Sequence, residues 1–334
     1  MAAHGAEIYC DIKELSVFGL FDVLKKLPRF FALKKLILEK IEKEKPDAIV
    51  LIDFSGFNLR LAKSINKKIP VIYYISPQVW ASRPGRIKTI KEYIHQMIVV
   101  FRFEEEFYKK YGVKVKFVGH PLLDITKPSL SRHEFYNRFS LYENKITIAL
   151  LPGSRNQEIK NILPIMLKAA SLMHQKIPLL QFVIAKSSQV EWGIYNRLTA
   201  GTDLDLKIIE GFTYDCLNIA NLALVASGTA TLETALIEVP FMIIYKMNLL
   251  NYLLYRPQVK VPHIGMVNIV AGKEIIPEFI QFQAKPEKIA DEALKILQDP
   301  TRRNEIKNGL KETVKLLGEK GAARRAAETI LELV

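Results

Sequence analysis

Short runs of apolar, β-branched residues alternate along the chain with longer stretches in which apolar residues recur every three or four positions. The runs at 48–53 (AIVLID), 71–76, 97–101 and 115–119 are continuous rather than alternating, which predicts strands buried on both faces. Helical spacing at 33–44, 59–68 and 103–112 predicts covering helices between them. A polar stretch with two prolines, 120–145, interrupts the pattern. It then restarts, with strands expected at 147–153, 180–185, 207–211, 222–227 and 241–245 and helices near 157–175, 190–199, 213–220 and 231–238. From 285 onward the chain reads as mostly helical. The fold class is therefore α/β: two doubly wound, Rossmann-like domains flanking a cleft. The expected domains are 1–135 and 146–334, the latter including the terminal helices, with the boundary within 128–146. Ligands of such sheets sit at the C-terminal ends of the strands.

Two strand ends carry chemistry. The strand at 222–227 runs into Ser227, Gly228, Thr229, Ala230 and Thr231, where Thr229 or Thr231 is placed to cap a helix with Glu233 in its first turn. Small residues let backbone N–H groups approach a phosphate, and a helix N-terminus adds partial positive charge. Glu233 can hydrogen-bond the vicinal hydroxyls of a ribose. Taken alone, this is equally an ordinary capped helix. The strand at 147–153 ends in Gly153, Ser154 and Arg155, and a guanidinium pairs with phosphate in two-point geometry. Two such turns in one sheet, with a ribose-suited carboxylate, point to a nucleoside-diphosphate site. Asp53 ends the strand at 48–53; it is either a general base facing the cleft or a cap for its own loop. Asp203 and Asp205 form an Asp-x-Asp, but in a polar loop that reads as solvated surface.

Charge narrows the ligand class. The 334 residues carry 48 Lys+Arg against 35 Asp+Glu, a net +13, which attracts phosphorylated substrates, acidic lipid or nucleic acid. No RNA-binding aromatic motif, zinc finger or helix-turn-helix signature appears, so nucleic acid is not an expected partner. Two cysteines in no metal or disulfide pattern suit a reducing compartment. No apolar run approaches the ~18 residues of a spanning helix, and the first residues do not form a signal peptide. Phe18, Phe21, Leu24 and Leu27 recur at helical spacing among Lys25, Lys26 and Arg29. This basic amphipathic pattern predicts contact with an anionic membrane through about 16–28, while 30–41 covers its own sheet.

Seven segments, in order, carry a resemblance: KELSVFGLFDVLKKLPR (13–29), PDAIVLIDFSGFNLRLA (46–62), YYISPQVWASR (73–83), FEEEFYKKYGVKVKFVGHPLLD (103–124), LLPGSRNQEI (150–159), VASGTATLE (225–233) and MVNIVAGKEIIPEFIQ (266–281). Together they resemble the lipid-A-disaccharide synthase family, inverting glycosyltransferases of the two-Rossmann B-type fold. The resemblance implies transfer of 2,3-diacylglucosamine from its UDP donor to the 6-hydroxyl of 2,3-diacylglucosamine 1-phosphate, without metal or other cofactor. It implies Asp53 as base, Arg155 and the two turns at the diphosphate, and Asn268 on the donor side; Tyr245 and Lys246, where the strand at 241–245 ends, are placed to face the nucleotide, and Trp80 and Arg83 to line the acceptor side. His120 reads as catalytic or structural. A homodimer on the cytoplasmic face of the inner membrane of a Gram-negative bacterium is also implied. Three departures stand out. Gly56 replaces a second aspartate, Ser82 replaces a tryptophan, and the family's initial strand with its Gly-Glu-Ala-Ser-Gly-Asp loop does not precede residue 1. The last predicts a weakened first domain with unpaired strand edges and low transferase activity. The alternatives are a weak or inactive UDP- or lipid-binding homologue, or another B-type UDP-sugar enzyme such as a UDP-N-acetylglucosamine 2-epimerase.

Overall fold

A computed structural model describes residues 5–10 and 20–334. The first sheet is four-stranded and wholly parallel, in order β1 (Ile49–Ile52), β2 (Val71–Tyr74), β3 (Gln96–Val99) and β4 (Val115–Phe117). Its register is regular: Leu51 pairs with Tyr73, Tyr73 with Met97, and Met97 with Val115. Residues of β2 and β3 are almost wholly buried, as their continuous apolar runs require. Among the described residues β1 is an edge strand, and its Val50 and Ile52 are exposed.

Helix α1 (Leu20–Glu44) passes through Pro28 as one element. Its Ile37, Leu38 and Ile41 pack against the core of the first sheet, as expected for 30–41. Of the segment assigned to the membrane, 16–28, nothing of 16–19 is described, and Phe18 and the side chains of Phe21 and Leu24 lie outside the described residues. Helices α2 (Ser55–Ile65), α3 (Arg86–Tyr93) and α4 (Arg102–Lys110) connect the strands.

The second sheet is six-stranded and parallel, in order β10-β9-β8-β5-β6-β7: β5 (Ile146–Leu151), β6 (Leu180–Lys186), β7 (Leu206–Glu210), β8 (Leu222–Ala226), β9 (Phe241–Tyr245) and β10 (Glu278–Ile280). β10 was not predicted; three residues are too short for a periodic signal. The helices on this sheet are α7 (Asn156–Lys176), α8 (Trp192–Thr199), α9 (Thr213–Ile219), α10 (Ala230–Leu236), α11 (Leu249–Tyr255), α12 (Met266–Ala271), α13 (Pro286–Gln298) and α14 (Pro300–Lys315). The chain leaves β5 towards β6 and β7, then returns to place β8 on the other side of β5. The C-terminal ends of β5 and β8 therefore flank the point where strand order reverses, where such sheets bind ligands.

The predicted division of the chain needs two corrections. Between the sheets lie α5 (Leu122–Ile125) and α6 (Arg132–Arg138), and Phe135 and Tyr136 of α6 are buried in the second core. The last helix, α15 (Ala322–Leu331), leaves the second sheet and returns to the first, where Ala326 and Ile330 pack on Ile72, Ile98 and Val118. Apolar residues at both places seek the nearest unfilled face, and a linear boundary does not follow them.

Candidate functional site

Two adjoining hollows lie at the C-terminal ends of the strands. The larger, about 780 Å³, is walled by the turns after β5 and β8 and by Ala185, Lys186, Tyr214 and Asp215. The smaller, about 550 Å³, lies at the ends of β1 to β3 and includes Asp53, Ser76, Arg83, Arg86 and His120. Gln78, Thr229 and Met266 belong to both walls.

In the larger hollow the turn after β5 closes around one carboxylate. Glu158, in the first turn of α7, accepts from Ser154 N at 3.1 Å and from Arg155 Nη1 at 3.1 Å. Gly153 sits at φ +116°, and a Cβ there would lie 2.7 Å from Glu158 Oε2. An anion held by a backbone amide and a guanidinium is the chemistry expected of a phosphate. Here a side chain of the protein supplies that anion, and Glu158 was not singled out from the sequence. Its spacing from Arg155 was the available signal.

The turn after β8 differs from expectation in its caps. Thr229 is the N-cap residue but makes no side-chain cap bond, and Thr231 Oγ1 donates to Gly228 O at 2.8 Å. Gly228 has φ +155°, and neither it nor Thr229 is covered, so the turn stays open to the hollow. Ser227 Oγ donates to Ile264 O at 3.1 Å. Ala230 and Glu233 also line the wall. Glu233 is half-buried and accepts from Tyr214 Oη at 3.0 Å; desolvation raises its pKa.

One donor-side expectation is corrected. Asn268 is 0% exposed. Its amide donates to Ile276 O and Glu278 Oε1, both at 2.8 Å, and its carbonyl accepts from the N–H groups of Ile275 and Ile276. All four hydrogen-bonding positions are used, so it cannot touch a ligand. It holds Glu278, which accepts from the N–H groups of Ile264 and Gly265 and so supports the loop behind Ser227. Tyr245 ends β9, where burial raises its pKa most and the charge of Glu158 next, with Arg155 opposing them. The Asp-x-Asp lies outside both walls, and Asp205 is not simply solvated: Lys145 Nζ donates to it at 2.7 Å.

In the smaller hollow, backbone strain concentrates at the strand ends. Asp53 and Phe54 after β1, Ile75 after β2, and Arg83 have φ of 46°, 43°, 61° and 53°. Non-glycine residues rarely adopt this region, least of all a β-branched one. Asn58 Nδ2 donates to Asp53 O at 2.8 Å, and Tyr73 Oη donates to the same oxygen, which fixes the turn. The Asp53 side chain remains exposed on the wall. Arg86 Nη1 donates to Ser55 Oγ at 2.9 Å, and with Arg83 it puts two guanidinium groups on this wall. His120 Nδ1 accepts from Leu122 N at 3.2 Å, and its ring packs 5.0 Å from that of Phe101. Burial lowers its pKa to about 4, so the ring is neutral at neutral pH.

Trp80 is not a wall of this hollow. Its Nε1 donates to Glu104 Oε1 at 3.0 Å, and Ser76 Oγ donates to the same oxygen at 2.6 Å. Glu104 is 2% exposed, its Oε2 has no partner, and desolvation raises its pKa to about 7. Glu104 is the first of three consecutive glutamates. The spacing Phe101, Glu104, Tyr108 sets it on the buried stripe of α4, and all three are buried.

Among the described residues no helix is long and apolar enough to cross a membrane. Comparisons with known proteins agree with one another. The family model described as Lipid-A-disaccharide synthetase matches residues 1–334. A lipid-A-disaccharide synthase of Syntrophus aciditrophicus is 44% identical over 332 residues, covering 99% of this chain and 87% of the relative. One from Myxococcus xanthus is 37% identical over 335 residues, covering 100% and 88%. Among solved structures, the UDP-GlcNAc 2-epimerase of Neisseria meningitidis bound to UDP-GlcNAc superposes with a TM-score of 0.62 at 14% identity, covering 91% of this chain and 81% of that one. At that identity the likeness is one of fold, the two-sheet B-type architecture.

Proposed function

The chain belongs to the lipid-A-disaccharide synthetase family, and from that premise we propose how its two hollows divide the reaction. The enzyme is an inverting hexosyltransferase that moves 2,3-diacylglucosamine from UDP to 2,3-diacylglucosamine 1-phosphate. The donor belongs in the larger hollow. Its diphosphate competes with Glu158 for Ser154 N–H and Arg155, while Glu233, steadied by Tyr214, accepts from the ribose. As the bond from the anomeric carbon to the diphosphate oxygen breaks, charge grows on the leaving UDP. Arg155 and the turn amides meet it, so no metal is required.

The acceptor belongs in the smaller hollow, where Arg83 and Arg86 suit its 1-phosphate. Asp53 takes the proton of the 6-hydroxyl as that oxygen attacks the anomeric carbon from the face opposite UDP, which inverts the configuration. One observation supports this division most: Gln78, Thr229 and Met266 line both hollows, so the two substrates can meet at one edge. The acylated substrates further suggest a peripheral enzyme on the cytoplasmic face of a Gram-negative inner membrane, reached through 16–28, and working as a homodimer.

The test combines calorimetry with mass-spectrometric product detection. Asp53→Asn should lower kcat by about 10²–10⁴ while UDP affinity stays at the parent value, and EDTA should leave the parent rate unchanged. Turnover by Asp53→Asn at the parent rate would remove Asp53 as the base.

A further inference from the structure

Helix α11 is inverted relative to an ordinary surface helix. Leu249, Leu250, Leu253 and Leu254 are 50%, 65%, 61% and 55% exposed, whereas Asn251 and Tyr252 are half-buried. At 3.6 residues per turn the four leucines share one face roughly 140° wide. Phe282, 65% exposed, extends that face, its ring 5.9 Å from that of Tyr252. A contiguous apolar face of this kind marks a docking surface.

Charge selects the occupant. From Val239 to Lys273 the chain has no aspartate or glutamate, and Lys246, Arg256 and Lys260 fringe the helix. A second copy of the chain would set this carboxylate-free face against itself. An anionic lipid surface supplies both complements: hydrocarbon for the leucines and phosphates for the cations. Position fits as well. Gln258 and Val259, just beyond α11, line the smaller hollow. Lys260 N–H then donates to Ala81 O at 3.0 Å, which ties the segment to the loop carrying Trp80.

We propose that α11, with Phe282 and the cations Lys246, Arg256 and Lys260, is a lipid-contact surface that seats the protein on an anionic leaflet beside the smaller hollow. Only the identity of the lipid delivered there rests on the glycosyltransferase reading.

The full chain and the double variant Leu250→Asp/Leu254→Asp are sedimented with phosphatidylcholine vesicles, with or without phosphatidylglycerol, at low salt. The parent should pellet with the anionic vesicles and release as salt rises. The variant should partition at least tenfold less, with unchanged melting temperature, unchanged solution mass, and parental turnover of detergent-dispersed substrate. Equal pelleting of the two proteins overturns the proposal. So does a variant whose solution mass falls from dimer to monomer, since the face then belongs to a second copy. If neither protein turns over substrate in detergent but the difference in vesicle binding persists, the lipid surface stands and the proposed reaction fails.

Discussion

Glu104 places a titratable carboxyl where water is excluded, and its pKa of about 7 makes the protein's stability depend on pH. Desolvation is the first cause, opposed by the bonds from Ser76 and Trp80. The folded-state pKa lies above the unfolded one, so between them the folded protein binds more protons. Stability contributed by the neutral form is therefore full at pH 4 and is lost as pH rises through 7. A shift of this size corresponds to roughly 3 kcal/mol. Glu104→Gln keeps an acceptor for Ser76 and Trp80 and removes the charge. Its melting temperature should exceed the parent's at pH 8, and the gap should close by pH 5. A gap of the same size at both pH values would mean that Glu104 carries no charge to remove.

At the scale of elements, the turns after β5 and β8 show how far sequence reaches. Gly153 to Arg155 and Ser227 to Glu233 were legible because phosphate chemistry needs small residues at a strand end, and both turns line one hollow. Which groups fill those donors was not legible: Glu158 reaches back by a full helical turn, and Thr229 makes no side-chain cap bond because its backbone is already helical, at φ −60° and ψ −29°. Asn268 stood in a recognisable segment, yet its partners Ile276 and Glu278 come from a strand too short to detect. Ten strands lie among the described residues, and nine were visible as apolar runs because buried parallel strands need no alternation. Gly153→Ala tests the first turn. At φ +116° a Cβ is strained and also meets Glu158, so a loss on the order of 1–3 kcal/mol is expected. UDP affinity should fall about tenfold, the equivalent of 1.4 kcal/mol. Calorimetry with unchanged affinity would place the diphosphate elsewhere.

Across the whole molecule, two crossings fix the sheets relative to one another, and both end on carboxylates or carbonyls. On the outward crossing Asp215 accepts from Ser129 N, Ser129 Oγ and Leu130 N at 2.7–2.9 Å. On the return, Gly321 N–H donates to Asp124 at 2.8 Å. Arg325 donates to Val118 O, Glu319 O and Lys320 O at 2.9, 2.6 and 2.6 Å. These bonds clamp α15 to the end of β4, next to Gly119, where φ is +86° and a Cβ would lie 3.0 Å from Glu319 O. Because His120 follows directly and lines the smaller hollow, the clamp also sets the wall of the site. Arg325→Ala removes charge-assisted bonds to three carbonyls and should cost about 2–3 kcal/mol. The loss should be local: hydrogen exchange should accelerate in β3, β4 and α15 while β5, β6 and β8 keep their protection. Turnover should fall more than UDP affinity, since the donor hollow is untouched and only the acceptor wall loosens. Uniform acceleration across both sheets would instead mean that the two cores unfold as one unit and that α15 is an ordinary part of it.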